Sequence, residues 1–353
     1  MNRRHFLSAL PVLAFAPRAS ACLWDTDTMA QEAKGNTDII RVITGRFDRF
    51  PAKYYEMRLA RVSELIGKSE SDPSLFDDAG VACDRLGRND EAIQWMVKKK
   101  VVLDLLPESE TKKTHMYRYL ANLGTFHSHR WLKTVGEGGN LQDIEKAVEL
   151  IRAAIALNPN AHFGREKYQL IALEWILTIR RHANSNAGKR WNEECFLGIQ
   201  PTFGPTKELK VKGFEDASTG VGGLVVLGSA WESVDIFYAL CVIHTWRGEH
   251  SISALAGFRV CELLEAGRKS LRLDSTLTKE LAGQPLFNPG ASVVEHGAKD
   301  LAFYKAARKE ADEWQKARHA YMETRFAQGK HPDVNPDFWS DWREPSQPPA
   351  YPR

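Results

Sequence analysis

Apolar residues recur at three- to four-residue intervals along most of this chain, which is the period of an α-helix and not of a β-strand. Residues 37–47 and 52–68 each carry such a stripe, and so does the longer stretch 294–328. Residues 161–184 place Tyr168 on a broad apolar face with several aliphatic neighbours. No run alternates convincingly between apolar and polar residues over six or more positions. The pattern therefore predicts an all-α fold.

A two-helix signature returns three times along the chain. Each copy places a small residue on one helix, a turn after it, and a second small residue on the next helix, so that the two helices can approach closely. The residues are Ala79, Gly80, Gly87 and Ala92 in the first copy, Gly124, Ala147 and Ala154 in the second, and Cys241, Gly248 and Ala254 in the third. One such hairpin cannot bury its apolar face alone, so the copies are expected to stack.

These three copies resemble tetratricopeptide repeats (TPRs). Residues 75–104 match best, with Phe76 near the position of the large aromatic residue of the first helix and Met96 in place of the packing aromatic residue of the second. In residues 117–160 the turn is lengthened by an insertion, and residues 233–265 are a looser match. The resemblance covers about a third of the chain. It implies a helical-hairpin solenoid whose concave groove binds a peptide or another protein.

The same pattern divides the chain into successive segments. The breaks fall where periodicity is lost, above all in a long polar stretch that contains several Gly and Pro residues. The predicted segments are a signal peptide (1–21), an N-terminal segment (22–35), N-terminal helices (36–71), the first two repeats with a following helix (72–184), an irregular insertion (185–218), the third repeat (219–275), a loop with a C-terminal capping helix (276–329), and a Pro- and Trp-rich tail (330–353).

The first residues are typical of an export signal and not of a folded domain. Arg3 and Arg4 precede a short apolar stretch, and Ala19 and Ala21 form the small-residue pattern of a signal-peptidase site. Paired arginines with modest hydrophobicity resemble a twin-arginine signal, so we expect export to the periplasm or cell envelope. Residues 22–28, residues 162–169 and the tail with Phe338 and Trp339 together resemble exported bacterial TPR proteins of unknown activity. Cys22 is where a lipoprotein would carry its lipid, but Ala19 stands where such signals usually have Leu.

The balance of charge excludes some partners. The chain has 48 basic and 45 acidic residues, and three of the basic ones, Arg3, Arg4 and Arg18, lie in the predicted signal peptide, which has no acidic residue. The remaining chain is neutral and has no polybasic patch, which argues against nucleic acid as a partner. A membrane would be a partner only if Cys22 were lipidated.

One polar cluster is the leading candidate for a ligand site. His162 and Glu166 are four residues apart, so they would share a helix face, as metal ligands or an acid–base pair can. Arg165 and Tyr168 lie beside them, and Trp191 lies in the insertion that follows. The cluster directly follows a helix stop, so these polar groups could instead satisfy the free N–H groups of a restarting helix. No cofactor is predicted.

Other chemistry-bearing residues have plainer interpretations. His127 and His129 are two apart and would point to different sides of a helix, so they would not share one ion. Asp25 and Asp27 could bind an ion or form a solvated acidic linker. The glycine-rich run 219–223 lacks the Lys-Ser/Thr of a phosphate-binding loop and is interpreted as a hinge at a helix start. No nucleophile–base pair appears at local spacing, so no catalytic residue is predicted.

Together these features predict an exported TPR-like protein that binds a protein or peptide in a concave helical groove. The first alternative is a metal- or ligand-binding enzyme on the helical scaffold, with His162 and Glu166 in its site. The second alternative is an envelope lipoprotein anchored at Cys22. Cysteine pairing stays open, because Cys241 and Cys261 could bridge one hairpin although both also suit a helical core.

Overall fold

Every regular element in the described part of the chain is helical. The computed structural model describes residues 23–35, 38–68, 72–134, 140–159, 165–182, 195–199, 209–210, 212–272 and 291–351. The helices are α1 (Thr26–Ala33), α2 (Ile39–Thr44), α3 (Ala52–Gly67), α4 (Pro73–Arg85), α5 (Asn89–Leu105), α6 (Glu110–Thr134), α7 (Gln142–Leu157), α8 (Arg165–Arg181), α9 (Ala217–Val226), α10 (Val234–Trp246), α11 (His250–Glu265) and α12 (Ala291–Ala327), with a short 3₁₀ turn at Ala230–Glu232. The predicted all-α fold is confirmed for these residues.

Consecutive helices pack against each other at the three predicted hairpins. Helix α4 packs on α5, α6 on α7, and α10 on α11. The turns of the first and third pairs pass through Gly87 (φ 75°) and Gly248 (φ 73°), in the left-handed region that glycine adopts without strain. Helix α4 begins as its sequence signals, because the Asp72 side chain accepts from Ser74 N and Pro73 occupies the first turn.

The small residues of the signature lie where neighbouring helices come closest. A Cβ atom added to Gly80 would lie 2.9 Å from Met96 Cε, and one added to Gly124 would lie 3.0 Å from Ile151 Cδ1. Ala79, the preceding residue of α4, is fully buried in a cluster with Val62 of α3. The sequence signature therefore corresponds to real points of close helix approach.

The glycine-rich run 219–223 is not the hinge at a helix start that the sequence predicts. It lies inside α9, which begins at Ala217. A Cβ atom on Gly220 would lie 2.2 Å from Tyr168 Cδ2, and one on Gly223 would lie 3.0 Å from Arg165 Cδ. The glycines therefore let α8 lie directly against α9.

The largest core surrounds α10, in which every residue is buried. Helices α8, α9 and α11 contribute to this core, and so do Cys195 and Phe196 from the predicted irregular insertion. Part of that insertion is thus packed into the protein. Cys83, Cys195, Cys241 and Cys261 form no disulfide in the described part of the chain, so the bridge between Cys241 and Cys261 is not formed.

The C-terminal tail packs along α12. Phe338 is fully buried, and the Trp339 ring stacks on Tyr321 with ring centroids 5.5 Å apart. Further along, Trp314 Nε1 of α12 donates to Glu344 Oε2 over 2.8 Å. Among the described helices, none is long and apolar enough to cross a membrane.

Candidate functional site

The N-terminal segment, residues 23–33, lies against α4 and α6. Trp24 N donates to Asn122 Oδ1 over 2.7 Å, and Asn122 Nδ2 donates back to Trp24 O over 2.9 Å. Thr26 donates from its backbone N and from Oγ1 to the Asp78 carboxylate, both over 2.9 Å. Leu23 is fully buried and Trp24 nearly so. Helices α4 and α6 thus hold residues 24–26, mainly through the backbone of this segment.

Arg58 of α3 joins this segment to the C-terminal tail. Its guanidinium is fully buried and lies 3.2 Å from Asp25, 2.8 Å from Asp27 and 2.5 Å from Asp333. Burial raises the pKa of Asp27, although the charge of Arg58 opposes that shift. Burial acts in the same direction on Asp333, but hydrogen bonds and charge from Arg58 outweigh it and hold the pKa of Asp333 at about 2. Asp25 and Asp27 therefore form a buried ion-pair cluster and not a solvated linker.

A cavity of about 670 Å³ lies beside this segment. Its walls come from α1, α3, the C-terminal ends of α4 and α6, and the turn that follows α9. A volume of this size is within the range of small-molecule sites, which is roughly 300–1,000 Å³. We call it the central cavity.

Three basic side chains that line the central cavity have no carboxylate within ion-pair distance in the described part of the chain. Arg85 Nη1 donates to Gly228 O over 2.8 Å and to Ser229 Oγ over 3.0 Å. Lys133 Nζ donates to the Gly87 carbonyl. Arg49 donates to the Gly45 carbonyl and lies over the Trp231 ring.

Arg49 Nη2 donates to Gly45 O over 3.3 Å, and its guanidinium carbon lies 4.8 Å from the Trp231 ring centroid. Burial lowers the pKa of Arg49 to about 10, and Arg308 adds to that shift. Arg49 therefore stays charged at neutral pH. The Nε atoms of Arg49 and Arg85 are both buried without a hydrogen-bond partner.

The carboxylates of the central cavity are already engaged. Each of them has a basic side chain or an imidazole as its partner. The pairs are Asp25 and Asp27 with Arg58, Asp48 with Arg318, Asp84 with His129, and Glu232 with Arg268. Arg49, Arg85 and Lys133 are therefore the basic side chains of the cavity wall that pair with no carboxylate in the described residues.

The Asp84–His129 pair adds a polarised imidazole to the same wall. His129 Nδ1 lies 2.8 Å from Asp84 Oδ2, and Asn89 Nδ2 donates to the other oxygen of Asp84 over 2.7 Å. His129 Nε2 is buried and has no hydrogen-bond partner. His127 instead pairs with Asp143 at 2.7 Å, so the two histidines face different carboxylates.

Of the residues singled out from the sequence, Arg165, Glu166 and Tyr168 lie at the start of α8 and do not line the central cavity. Glu166 is buried, and its Oε1 accepts from Tyr117 Oη over 2.7 Å. Burial raises the pKa of Glu166, and the neighbouring charge of Arg165 opposes that shift. Tyr168 Oη donates to Asp216. His162, Trp191 and Cys22 lie outside the described residues.

Arg165 lines a second cavity, of about 250 Å³. It is only 1% exposed, and none of its three guanidinium nitrogens has a hydrogen-bond partner among the described residues. Ser218, Thr219 and Gly222 of α9 line the same space. Within the described ranges, no group of three or more His, Cys, Asp or Glu side chains could hold a metal ion.

No family model matches this chain, and neither a curated protein nor a solved structure matches it significantly. The all-α fold is shown by the structure itself, whereas the assignment to TPRs stays a prediction.

Sequence reasoning missed most of the central cavity. His129 and Lys133 are four residues apart on α6, and that spacing alone could have placed them on one face. Asp84, Arg85 and Arg49 come from other elements, so no local spacing connects them to α6. Arg165 was found because it lies in a locally dense polar cluster.

Proposed function

We propose that this protein is a binding protein whose central cavity accepts a ligand with a carboxylate or phosphate group. The observation that supports this is the set of Arg49, Arg85 and Lys133, which face the cavity without a carboxylate partner in the described residues. A buried guanidinium with an unsatisfied N–H group is costly, and an anion would supply both charge and hydrogen-bond acceptors.

We propose that the binding surface is the predicted concave groove of a TPR-like helix array. Asn122 of α6 and Asp78 of α4 already bond the backbone of residues 24–26, and the central cavity lies beside that segment, which supports this proposal. The anionic group could belong to a free organic acid or to the C-terminal carboxylate of a peptide. Both would meet the same arginines, so the experiment must separate the two sources.

Isothermal titration calorimetry can test the proposal with three probes: inorganic phosphate, a small dicarboxylate, and a short peptide with either a free or an amidated C-terminus. Arg49→Met removes the charge but keeps the aliphatic bulk over Trp231. We expect it to weaken binding of the recognised probe about tenfold or more, because a charged hydrogen bond is lost.

Arg88→Met is the matched control, because Arg88 lies near Arg85 in sequence but its side chain is 46% exposed and does not line the cavity. It should bind like the parent. A preference for the free over the amidated peptide identifies a peptide ligand, and binding of the small dicarboxylate alone identifies a free acid. The proposal fails if no probe binds or if both variants bind equally well.

We also propose that the chain is exported through a twin-arginine signal, on the sequence pattern of Arg3 and Arg4. Replacing both by Lys keeps the positive charge but removes the guanidinium pair. Cell fractionation should then show the protein retained inside the cell. Unchanged export of the double variant would remove the twin-arginine route, and intact mass of the exported protein would show whether Cys22 carries lipid.

A further inference from the structure

Three side chains from different parts of the fold form a continuous hydrogen-bonded chain at the second cavity. Ser218 Oγ lies 3.0 Å from His244 Nε2, and His244 Nδ1 lies 2.5 Å from Glu249 Oε2. Ser218 belongs to the first turn of α9, His244 to the end of α10, and Glu249 to the turn before α11. His244 is 2% exposed, whereas Ser218 is partly exposed and lines the cavity.

This order of groups is the one that activates a serine hydroxyl. A hydroxyl becomes a nucleophile when an imidazole accepts its proton, and a carboxylate on the other ring nitrogen fixes the tautomer that can do so. Burial lowers the pKa of His244, although Glu249 opposes that shift and Arg247 adds to it. The imidazole is therefore neutral near pH 7 and able to accept a proton.

The start of α9 also leaves backbone donors beside Ser218. The first N–H groups of a helix have no acceptor within the helix. Asp216 is the N-cap residue, yet its side chain makes no capping hydrogen bond and instead accepts from Tyr168 Oη. The N–H groups of Ser218 and Thr219 are thus not covered by a side-chain cap, and such donors can stabilise an oxyanion.

Arg165 supplies the feature that points to a ligand. Its guanidinium is buried and has no hydrogen-bond partner in the part of the chain that the structure describes, and its stem crosses α9 at Gly223, where a larger residue would displace it. The carboxylates that act on it electrostatically are Glu32, on the cavity wall, and Glu166, which already accepts from Tyr117. An acceptor group on a ligand would satisfy the Arg165 donors, and the nearby Glu32 favours a single negative charge over a double one.

We propose that Ser218, His244 and Glu249 form a hydrolytic site for an ester that carries one carboxylate, and that Arg165 binds this carboxylate. Ser218 Oγ attacks the ester carbonyl carbon while its proton passes to His244 Nε2. The C–O bond to the alcohol then breaks, and His244 gives the proton to the departing alcohol. Water attacks the acyl–Ser218 ester, its proton passes through His244 to Ser218 Oγ, and the free acid leaves.

The nucleophile can be tested directly with a fluorophosphonate probe and peptide mass spectrometry on the full-length protein. We expect one adduct, on Ser218, which is lost in Ser218→Ala. His244→Gln should slow labelling about a hundredfold or more, because the base is gone. Ser63→Ala, a partly exposed serine on α3 that lines neither cavity, should label like the parent. An unlabelled parent, or an adduct that persists in Ser218→Ala, overturns the proposal.

The substrate class can be tested with two p-nitrophenyl esters of similar length, the hemiglutarate and the uncharged butyrate. Arg165→Met should raise KM for the hemiglutarate about tenfold or more and leave the butyrate nearly unchanged. Far-ultraviolet circular dichroism and the melting temperature of this variant show whether it is folded. Equal changes with both esters would remove Arg165 as the carboxylate-binding residue. Neither experiment depends on the central cavity, where the calorimetric test with Arg49→Met stands separately.

Discussion

Single residues at the closest helix contacts determine whether the hairpins can form. Gly124 is the clearest case, because a Cβ atom there would lie 3.0 Å from Ile151 Cδ1 and 3.1 Å from Leu150 Cβ. These atoms belong to α7, and moving α7 away from α6 would expose its buried residues. Glycine at this position therefore stabilises the hairpin because it leaves room for the side chains of α7.

Gly124→Leu should lower the free energy of unfolding by about 1–3 kcal/mol, because the added side chain overpacks the contact between α6 and α7. Urea denaturation followed by circular dichroism measures the change. Gly67→Ala is the matched control, because a Cβ atom there meets nothing within 4 Å. It should be neutral or stabilising by about 0.4–1 kcal/mol. Overlapping curves for parent and Gly124→Leu would contradict the contact.

His115 is a second residue whose surroundings make a measurable prediction. It is 9% exposed, and burial lowers its pKa to about 4, with the charges of Lys99 and Arg118 adding to the shift. Its Nδ1 has no hydrogen-bond partner. The folded protein therefore holds this imidazole neutral in a pH range where the unfolded chain would protonate it.

Between the unfolded pKa of about 6.5 and the folded value, the unfolded chain binds a proton at His115 that the folded chain does not, so stability should fall as the pH drops through this window. His115→Gln removes the titrating group. The parent should lose on the order of 1–3 kcal/mol more than the variant between pH 7 and 4. Urea titrations at several pH values test this, and parallel pH profiles would contradict the assignment.

At the scale of elements, α1 is held by side chains from three other parts of the chain. Its N-cap Asp25 accepts from Thr28 N and also pairs with Arg58 of α3. Arg58 reaches Asp333 of the tail as well. Because the buried Arg58 pairs with three carboxylates, replacing it would remove an ion-pair partner from each of them.

Arg58→Met should therefore cost about 3–5 kcal/mol, the range for breaking a buried ion pair by removing one partner. Lys53→Met is the control on the same helix, because Lys53 and its partner Glu56 are both about half exposed. Exposed pairs contribute ~0–1 kcal/mol, so this variant should unfold like the parent. Hydrogen exchange of residues 23–33 should rise in Arg58→Met only. Equal stability of the two variants would show that the cluster does not hold α1.

Elements built from local signals could be predicted from the sequence, and contacts between distant elements could not. The helices of the three hairpins follow from periodicity, Gly87, Gly248 and the Asp72 cap, all of which act within a few residues. The proposed hydrolytic site depends on the contact between Ser218 and His244, which are 26 positions apart, and no local sequence pattern indicates that contact. Arg165 was predicted as a ligand contact from its polar neighbours, but its position over Gly223 required the packing of α8 on α9.

The same limit applied to the acidic start of the chain. Asp25 and Asp27 look solvated in sequence because they are polar and close to the predicted cleavage site. Their burial is decided by Arg58, 31 to 33 residues away, and by the tail, which no local window includes. A charged side chain is buried in a folded protein only when its partner lies beside it. The burial of Asp25 and Asp27 therefore could not be predicted without knowing that Arg58 contacts them.

At the scale of the whole molecule, the C-terminal tail connects α12 to the N-terminal helices through side-chain contacts. Arg46, beside α2, pairs with Glu344 at 3.1 Å, and Asp333 pairs with Arg58 of α3. Phe338 and Phe326 share a small core with Tyr54. The two ends of the described chain therefore meet, and the N-terminal helices are covered by residues that come more than 270 positions later.

Deleting residues 330–353 should consequently destabilise the N-terminal helices and not only α12. Loss of Phe338 alone removes a fully buried aromatic side chain, worth about 3–5 kcal/mol when truncated to alanine, so the deletion should cost at least ~3 kcal/mol. Backbone hydrogen exchange should increase in α1 and α3, because Arg58 would lose its ion pair with Asp333 and Tyr54 would become more exposed to solvent. Phe338→Ala separates the two effects, since it removes the core contact but keeps the ion pair. It should destabilise the protein while exchange in α1 stays closer to the parent. A deletion that alters exchange in α12 alone would show that the tail stabilises only its own helix.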